Sequence, residues 1–107
     1  MYRIIFEHHP KEGQEEKFIE EWQKGSDIIQ TYPGARGTKL FRDVKNPKVL
    51  YASAEWESKA ARSAIMPEID ARMKAEGKYN LHEQYVDEVK VFAEMELIAE
   101  SLPPKSE

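Results

Sequence analysis

Residues 48–58 read Lys48-Val49-Leu50-Tyr51-Ala52-Ser53-Ala54-Glu55-Trp56-Glu57-Ser58, and this stretch decides the fold. Side chains alternate between the two faces of a strand, and here apolar residues stand on both faces. Leu50 and Trp56 share one face, whereas Val49 and Tyr51 share the other. The stretch is therefore predicted to be a strand that is covered on both sides, and Ser58 is predicted to cap a helix that follows directly.

Outward from this strand, hydrophobic periodicity and turn residues predict the order β-α-β-β-α-β. The predicted elements are a strand at 2–9, a helix at 13–30, strands at 36–44 and 48–57, a helix at 58–76 and a strand at 85–98. Pro67 is expected to break the second helix into two pieces that meet near Met66, because proline removes a backbone hydrogen bond inside a helix. In the last strand, strict alternation predicts one apolar face that holds Val89, Val91, Ala93, Met95 and Leu97.

This order is the ferredoxin-like split pattern, an α+β fold with an antiparallel sheet and both helices on one face. A single domain is predicted at residues 1–99, followed by a flexible tail at 100–107. The face of the sheet away from the helices still carries Val49, Tyr51 and Phe92. Because apolar residues on a sheet face need cover, a second copy related by a two-fold axis is predicted, which makes the protein a homodimer.

Composition excludes several functional classes. The chain has 107 residues, a net charge of −4 at pH 7 and no cysteine. A mildly acidic chain lacks the positive charge that binds nucleic acid or an anionic membrane. Three scattered histidines give no metal-ligand spacing, and no glycine-rich phosphate loop is present, so neither a metal nor a cofactor is expected. No apolar run is long enough for a signal peptide or a membrane span, so a cytoplasmic location is expected.

His8 and His9 are adjacent in the first strand, so alternation sends them to opposite faces and they cannot chelate one metal together. His8 shares a face with Ile4 and Phe6, which is predicted to be the core face. At the rim of a pocket its imidazole is a candidate base for a phenol proton, because imidazole titrates near neutral pH. The alternatives are a surface histidine at the strand end or, if the faces are reversed, His9 in the same role.

Trp56 ends a strand and stands just before a helix. One interpretation makes it a pocket wall that stacks on an aromatic ligand. The other makes it a core residue that packs beneath the second helix, where a large aromatic side chain contributes most through burial.

Several segments together resemble a known family. They are Lys11-Glu12-Gly13-Gln14-Glu15-Glu16, Tyr32-Pro33-Gly34-Ala35-Arg36-Gly37, Leu40-Phe41-Arg42-Asp43 and Tyr51 to Ala61, which contains Trp56-Glu57-Ser58-Lys59. In these segments and their spacing, the chain resembles the antibiotic biosynthesis monooxygenase (ABM) superfamily over about residues 2–98. The resemblance implies a homodimer whose two sheets form a dimeric α/β barrel, with a pocket between each sheet and its own helices.

Some members of this superfamily oxidise polycyclic phenols or quinols with dioxygen and without metal or flavin. The resemblance therefore implies a cofactor-independent monooxygenase that acts on a small aromatic or quinol-like substrate. Trp56 and Phe41 or Phe92 would form the apolar wall, His8 would be the base and Arg42 an anion partner.

Three alternatives to this function are relevant. The haem-degrading pattern is not matched, because the first strand has no Asn and the second helix has neither Trp nor His. The alternative to the oxygenase is a non-catalytic small-ligand-binding or stress-associated dimer of the same fold. A pocket filled by the protein's own side chains would instead leave a purely structural dimer.

Overall fold

The computed structural model of the protein describes residues 1–77 and 81–105. Its elements, in chain order, are β1 (Tyr2–Pro10), α1 (Glu15–Ile29), β2 (Ala35–Arg42), β3 (Leu50–Trp56), α2 (Lys59–Ala75), α3 (Leu81–Tyr85) and β4 (Val86–Glu96). The predicted β-α-β-β-α-β order is confirmed, and the short helix α3 is an addition that the sequence patterns did not predict. The last two residues of the predicted tail at 100–107 lie outside the described residues, and the division at residue 99 stays a prediction.

The four strands form one antiparallel sheet in the order β2-β3-β1-β4. At the centre of the sheet, Tyr2 of β1 lies opposite Trp56 of β3, and His8 lies opposite Leu50. Tyr2 and Trp56 pack with Ile69 of α2, which identifies their face as the one beneath the helices. The predicted ferredoxin-like α+β fold is therefore confirmed.

Two apolar clusters join the helices to the sheet. The first contains Tyr2, Ile4, Trp56 and Ile69, and the second contains Phe18, Leu50 and Val86. The first cluster fixes α2 over one part of the sheet, and the second fixes α1 over another. Apolar surface removed from water contributes about 25 cal/mol per Å², so these large buried side chains are the main source of cohesion between the layers.

The turn before β2 packs closely against the junction between β3 and α2. Gly34 has a φ of 88°, which other residues rarely adopt, and its carbonyl accepts a hydrogen bond from the Glu57 N–H at 2.9 Å. A Cβ on Gly34 would lie 3.1 Å from the Cβ of Ala61. The Ser58 side chain accepts a hydrogen bond from the Ala61 N–H at 3.0 Å, so the predicted N-cap is confirmed.

Pro67 does not break α2. The helix is continuous from Lys59 to Ala75, so the predicted break near Met66 is wrong. Pro67 lies on the exposed side, where water can hydrate the Ser63 carbonyl that has lost its helical N–H partner. Met66 and Ile69 pack on the buried side of the same helix. Their burial offsets the cost of roughly 3 kcal/mol for a proline inside a helix.

A β-bulge in β4 changes which of its residues face the helices. Ile5 of β1 lies opposite Ala93, but the next residue, Phe6, lies opposite Val91. Phe92 is therefore one extra residue in the ladder. Val91 faces the helices together with Phe6, whereas Ala93 faces away together with Ile5. The predicted single apolar face of the last strand is wrong, because an inserted residue shifts the alternation and a strict period of two cannot represent it.

The bulge directs an aromatic ring to the outer face and a carboxylate to the inner one. The Phe92 ring packs edge-on against the Tyr51 ring, with ring centres 5.2 Å apart, on the face away from the helices. Beyond the bulge, Glu94 lies opposite Ile4 on the helix side, where it accepts a hydrogen bond from Tyr2.

We expect Gly34→Ala to destabilise the fold more than Gly13→Ala. Both glycines have positive φ, at 88° and 79°, so an alanine at either position costs about 1–2 kcal/mol of backbone strain. Only Gly34 also has a neighbour within 4 Å of the new Cβ, so its variant should lose roughly a further 1 kcal/mol through overpacking against Ala61. Urea unfolding measures both losses, and equal losses would contradict the close packing of this turn.

Candidate functional site

A cavity of about 310 Å³ lies between the helix-facing side of the sheet and the helices α1 and α2. Small residues keep this space open, namely Gly25 and Ser26 on α1 and Ala52 and Ala54 on β3. The nearest atom to a Cβ built on Gly25 would be the Cε of Met73, at 3.9 Å, which is ordinary van der Waals contact. The cavity therefore lies where small side chains separate the two clusters of large ones.

Each helix contributes one face to the walls. On α1 the lining residues are Trp22, Gly25, Ser26 and Ile29, which are three, one and three positions apart and so share one helical face. Trp22 and Ile29 are only partly buried, because the cavity lies beside them.

The wall from α2 combines apolar side chains with two charged ones. Its lining residues are Arg62, Met66, Ile69, Asp70 and Met73. Steps of four, three, one and three place them on a single face. The sequence analysis missed Arg62 and Asp70 as site residues. The sequence did contain a signal for them, because Arg62 and Asp70 fall at helical spacing from Met66, Ile69 and Met73.

His8 is buried at the floor of the cavity, with 2% of its surface exposed. Its ring centre lies 5.1 Å from that of Phe18 and 6.4 Å from that of Phe6. The alternative of a surface histidine is therefore wrong. His9 lies on the opposite face of the sheet, where its Nε2 is 2.6 Å from Glu7 Oε2. His8 is thus the histidine that faces the cavity, and its role as a base stays a prediction.

Trp56 occupies both of the places that the sequence proposed for it. The residue is 2% exposed and packs with Tyr2 and Ile69 in the core beneath α2. It also lines the cavity. The structure brings Trp56 and His8 to one cavity, and stacking of Trp56 on a ligand stays a prediction.

Phe41, Phe92 and Arg42 do not line this cavity, contrary to the sequence prediction. Phe41 lies opposite Tyr51 on the face away from the helices and is 53% exposed, and Phe92 is on the same face and 59% exposed. Alternation in β2 and the bulge in β4 account for these positions. Arg42 forms an ion pair with Glu15 and donates a hydrogen bond to a loop carbonyl at 2.9 Å, so it holds the start of α1 against β2.

A hydrogen-bonded pair beside the cavity links β1, β4 and α2. The Tyr2 hydroxyl donates to Glu94 Oε1 at 2.6 Å, and Lys59 Nζ lies 3.3 Å from the same oxygen. Burial, followed by the hydrogen bond to Glu94, raises the pKa of Tyr2 to about 12. The hydrogen bond from Tyr2, followed by Lys59, lowers the pKa of Glu94. The charge of Arg62 lowers the pKa of both groups, so its guanidinium lies within electrostatic reach of this pair.

Within residues 1–77 and 81–105, no three His, Asp or Glu side chains are grouped so that they could hold a metal ion. In the part of the chain that the structure describes, no helix is long and apolar enough to cross a membrane.

The fold and the cavity define a class of protein, an α+β domain in which a four-stranded antiparallel sheet and two helices enclose a small apolar pocket. The sequence places the chain within that class. Residues 1–64 match the family described as Antibiotic biosynthesis monooxygenase, and the chain belongs to this family. The matched region extends from β1 to the first turns of α2 and includes His8, Trp56 and Arg62.

Solved structures agree with this fold. A protein from Bordetella bronchiseptica provisionally assigned to the antibiotic biosynthesis monooxygenases is 15% identical, with a TM-score of 0.72 over 92% of this chain and 97% of that one. A similarly assigned protein from Nitrosomonas europaea is 13% identical, with a TM-score of 0.73 over 92% and 100%. A protein of unknown function from Nitrosomonas europaea is 16% identical, with a TM-score of 0.68 over 97% and 95%. No protein of curated function matches the chain.

We expect Tyr2→Phe to flatten the loss of stability at alkaline pH. The folded state raises the pKa of Tyr2 from 10.0 to about 12, so its contribution is complete below pH 10 and is lost as pH rises towards 12. Urea unfolding at several pH values should show a steeper decline in the wild type than in the variant across this window. Parallel declines would contradict the assignment. In the variant, NMR titration should also show the pKa of Glu94 closer to its ordinary value, with Lys59 still lowering it.

Proposed function

We propose that the protein is a cofactor-independent monooxygenase that oxidises a small aromatic or quinol-like substrate in the cavity beneath α1 and α2. The observation that carries this proposal is the joint placement of His8 and Trp56 in one largely apolar cavity. Ligand pockets have volumes of about 300–1,000 Å³, and this cavity of about 310 Å³ is at the lower end. Its size favours a substrate of one or two rings.

The proposed role of His8 is proton transfer. A phenol that loses its proton to the imidazole becomes an electron-rich anion that can react with dioxygen. One oxygen atom forms a new carbon–oxygen bond at a ring carbon, and the O–O bond breaks. The other oxygen leaves as water with the ring-carbon proton and the phenol proton that His8 returns. One phenol and one dioxygen thus give one quinone and one water, and the substrate supplies all four electrons.

The proposed role of Trp56 is to orient the ring of the substrate. Offset or edge-to-face contact with an aromatic ligand contributes about 0.5–1.5 kcal/mol beyond burial. The apolar walls from α1 and α2 would exclude water around the anion, which strengthens electrostatic interactions within the site. No residue of this proposal requires a metal or an organic cofactor.

A homodimer is the proposed assembly, formed through the sheet face away from the helices. Phe41, Phe92 and Met95 expose 53%, 59% and 41% of their surfaces, and Tyr51 lies among them. Exposed apolar patches on a protein surface mark interaction sites. Val49, which was predicted to need a partner, is 5% exposed and is covered by its own chain. The proposal therefore rests on the three exposed residues and Tyr51.

We expect sedimentation at micromolar concentration to give twice the 12.5 kDa mass of one chain. Phe92→Glu should shift the mass to that of a single chain, because it places a charge in the middle of the proposed interface. Val44→Glu is the matched control, since Val44 is 95% exposed in the β2–β3 loop. A wild type that sediments as a single chain would overturn the dimer.

We expect the wild type to consume dioxygen in metal-free buffer with 1-naphthol, which should give 1,4-naphthoquinone, and with a hydroquinone, which should give the hydroxyquinone. His8→Gln should lower the turnover rate by roughly 10²–10⁴-fold, the usual contribution of a general base, and should leave binding intact. Trp56→Phe should weaken binding by about 0.5–1.5 kcal/mol.

Gly25→Leu serves as the control for oxidation in solution. Its side chain should fill the cavity and abolish both binding and turnover in a folded protein. Quinone with one oxygen atom from labelled dioxygen is the expected product. Tight binding without oxygen uptake would overturn the oxygenase and favour the non-catalytic ligand-binding dimer. If the wild type binds neither 1-naphthol nor the hydroquinone, both the oxygenase and the ligand-binding dimer would be overturned.

A further inference from the structure

Two opposite charges lie in the otherwise apolar wall that α2 gives to the cavity. Arg62 is half-buried near the start of the helix, and Asp70 is exposed at the edge of the cavity two turns further along. Met66 and Ile69 separate them on the same face. Ligand pockets carry only a few polar groups, and these groups orient the ligand. These two residues therefore call for an explanation beyond the proposed proton transfer.

The two charges do not neutralise each other. No ion pair among residues 1–77 and 81–105 includes either Arg62 or Asp70. They are eight positions apart, and a helix rises about 1.5 Å per residue, so their backbones stand roughly 12 Å apart along α2. The wall thus has a positive end and a negative end with apolar side chains between them.

The hydrogen-bond donors of Arg62 stay available to a ligand, because the carboxylate within its electrostatic reach already has two partners. Glu94 lies within electrostatic reach of Arg62, and its Oε1 already accepts from Tyr2 at 2.6 Å and has Lys59 Nζ at 3.3 Å. A guanidinium carries five N–H donors in a planar fork that matches a carboxylate or a phenolate oxygen. At the other end, an ionised Asp70 is an acceptor and suits a hydroxyl or an amine.

We infer that the ligand is a one- or two-ring aromatic with an acidic oxygen group at the Arg62 end and a hydrogen-bond donor at the Asp70 end. This inference rests on the proposed function, since it uses the same cavity, and it narrows the substrate class to hydroxylated aromatic acids or their phenolate equivalents. Arg62 and Asp70 are specificity-determining residues in this arrangement. They orient the ring so that its apolar body lies against Met66 and Trp56.

Three naphthalene probes test the two ends separately. The first is 6-hydroxy-2-naphthoate, which carries both groups. The second is its methyl ester, which lacks the acid, and the third is 6-methoxy-2-naphthoate, which lacks the donor. Binding is followed by the fluorescence of Trp22 and Trp56, which both line the cavity. A hydrogen bond to a charged group contributes enough for roughly 10- to 100-fold in affinity, so the wild type should prefer the first probe to each of the others by about tenfold or more.

Matched variants then assign each preference to its residue. Arg62→Met keeps an unbranched apolar stem without the charge and should remove the preference for the acid over its ester, whereas Arg62→Lys should keep part of it. Asp70→Asn should reduce the preference for the hydroxyl over the methoxy probe. Arg72→Met is the control, because Arg72 lies on the same helix outside the cavity lining, with a side chain that is 42% exposed and paired with Glu76, and it should change neither preference.

The outcomes separate this inference from the proposed function. Equal wild-type affinity for the acid and the ester would overturn the inference while leaving the cavity as a binding site for neutral aromatics. That comparison needs no variant, so it holds even if Arg62→Met fails to fold. A preference that Arg72→Met removes as completely as Arg62→Met does would also overturn it. Failure of the wild type to bind all three probes would overturn the proposed function and the inference together.

Discussion

The hydrogen bond from the Glu57 N–H to the Gly34 carbonyl, at 2.9 Å, is the contact on which the rest of the structure depends. It joins the turn that follows α1 to the residue that precedes α2, so it fixes the end of one helix beside the start of the other. The positive φ of Gly34 and the close approach of Ala61 allow no larger residue at this point. Arg36 adds an ion pair with Glu57. Because both helices leave from this junction, its geometry sets their separation over the sheet.

That separation creates the cavity, and residue size decides its extent. Phe18 and Leu50 fill the space in one cluster, and Trp56 and Ile69 fill it in the other. Between them the side chains are small, with Gly25 the smallest. An unfilled cavity costs stability in proportion to its volume, because its lining loses packing contacts. A ligand that binds only the folded state recovers part of this cost, which links the stability of the protein to the occupancy of its site.

The β-bulge at Phe92 decides which side chains β4 contributes to the inner and the outer face of the sheet. The extra residue sends the Phe92 ring outward against Tyr51 and turns Glu94 inward to Tyr2. Glu94 in turn engages Lys59, which leaves the Arg62 guanidinium as the cation beside the cavity. The bulge in β4 therefore places the Glu94 carboxylate on the helix side of the sheet and the Phe92 ring in the apolar surface proposed for the dimer.

The sequence by itself determined the order of elements, the N-cap at Ser58, the sheet face that His8 shares with Ile4 and Phe6, and the apolar residues on both faces of β3. Each of these follows from local periodicity or helix capping, and both depend only on residues close together in the sequence. Tertiary structure alone decided that α2 continues through Pro67, since solvent on one side and burial on the other offset the lost hydrogen bond. It also decided that the bulge reverses the alternation of β4, and that Arg62 rather than Arg42 reaches the cavity. These outcomes depend on which strand or helix packs against each residue. That packing partner comes from a distant part of the chain and is in place only after folding.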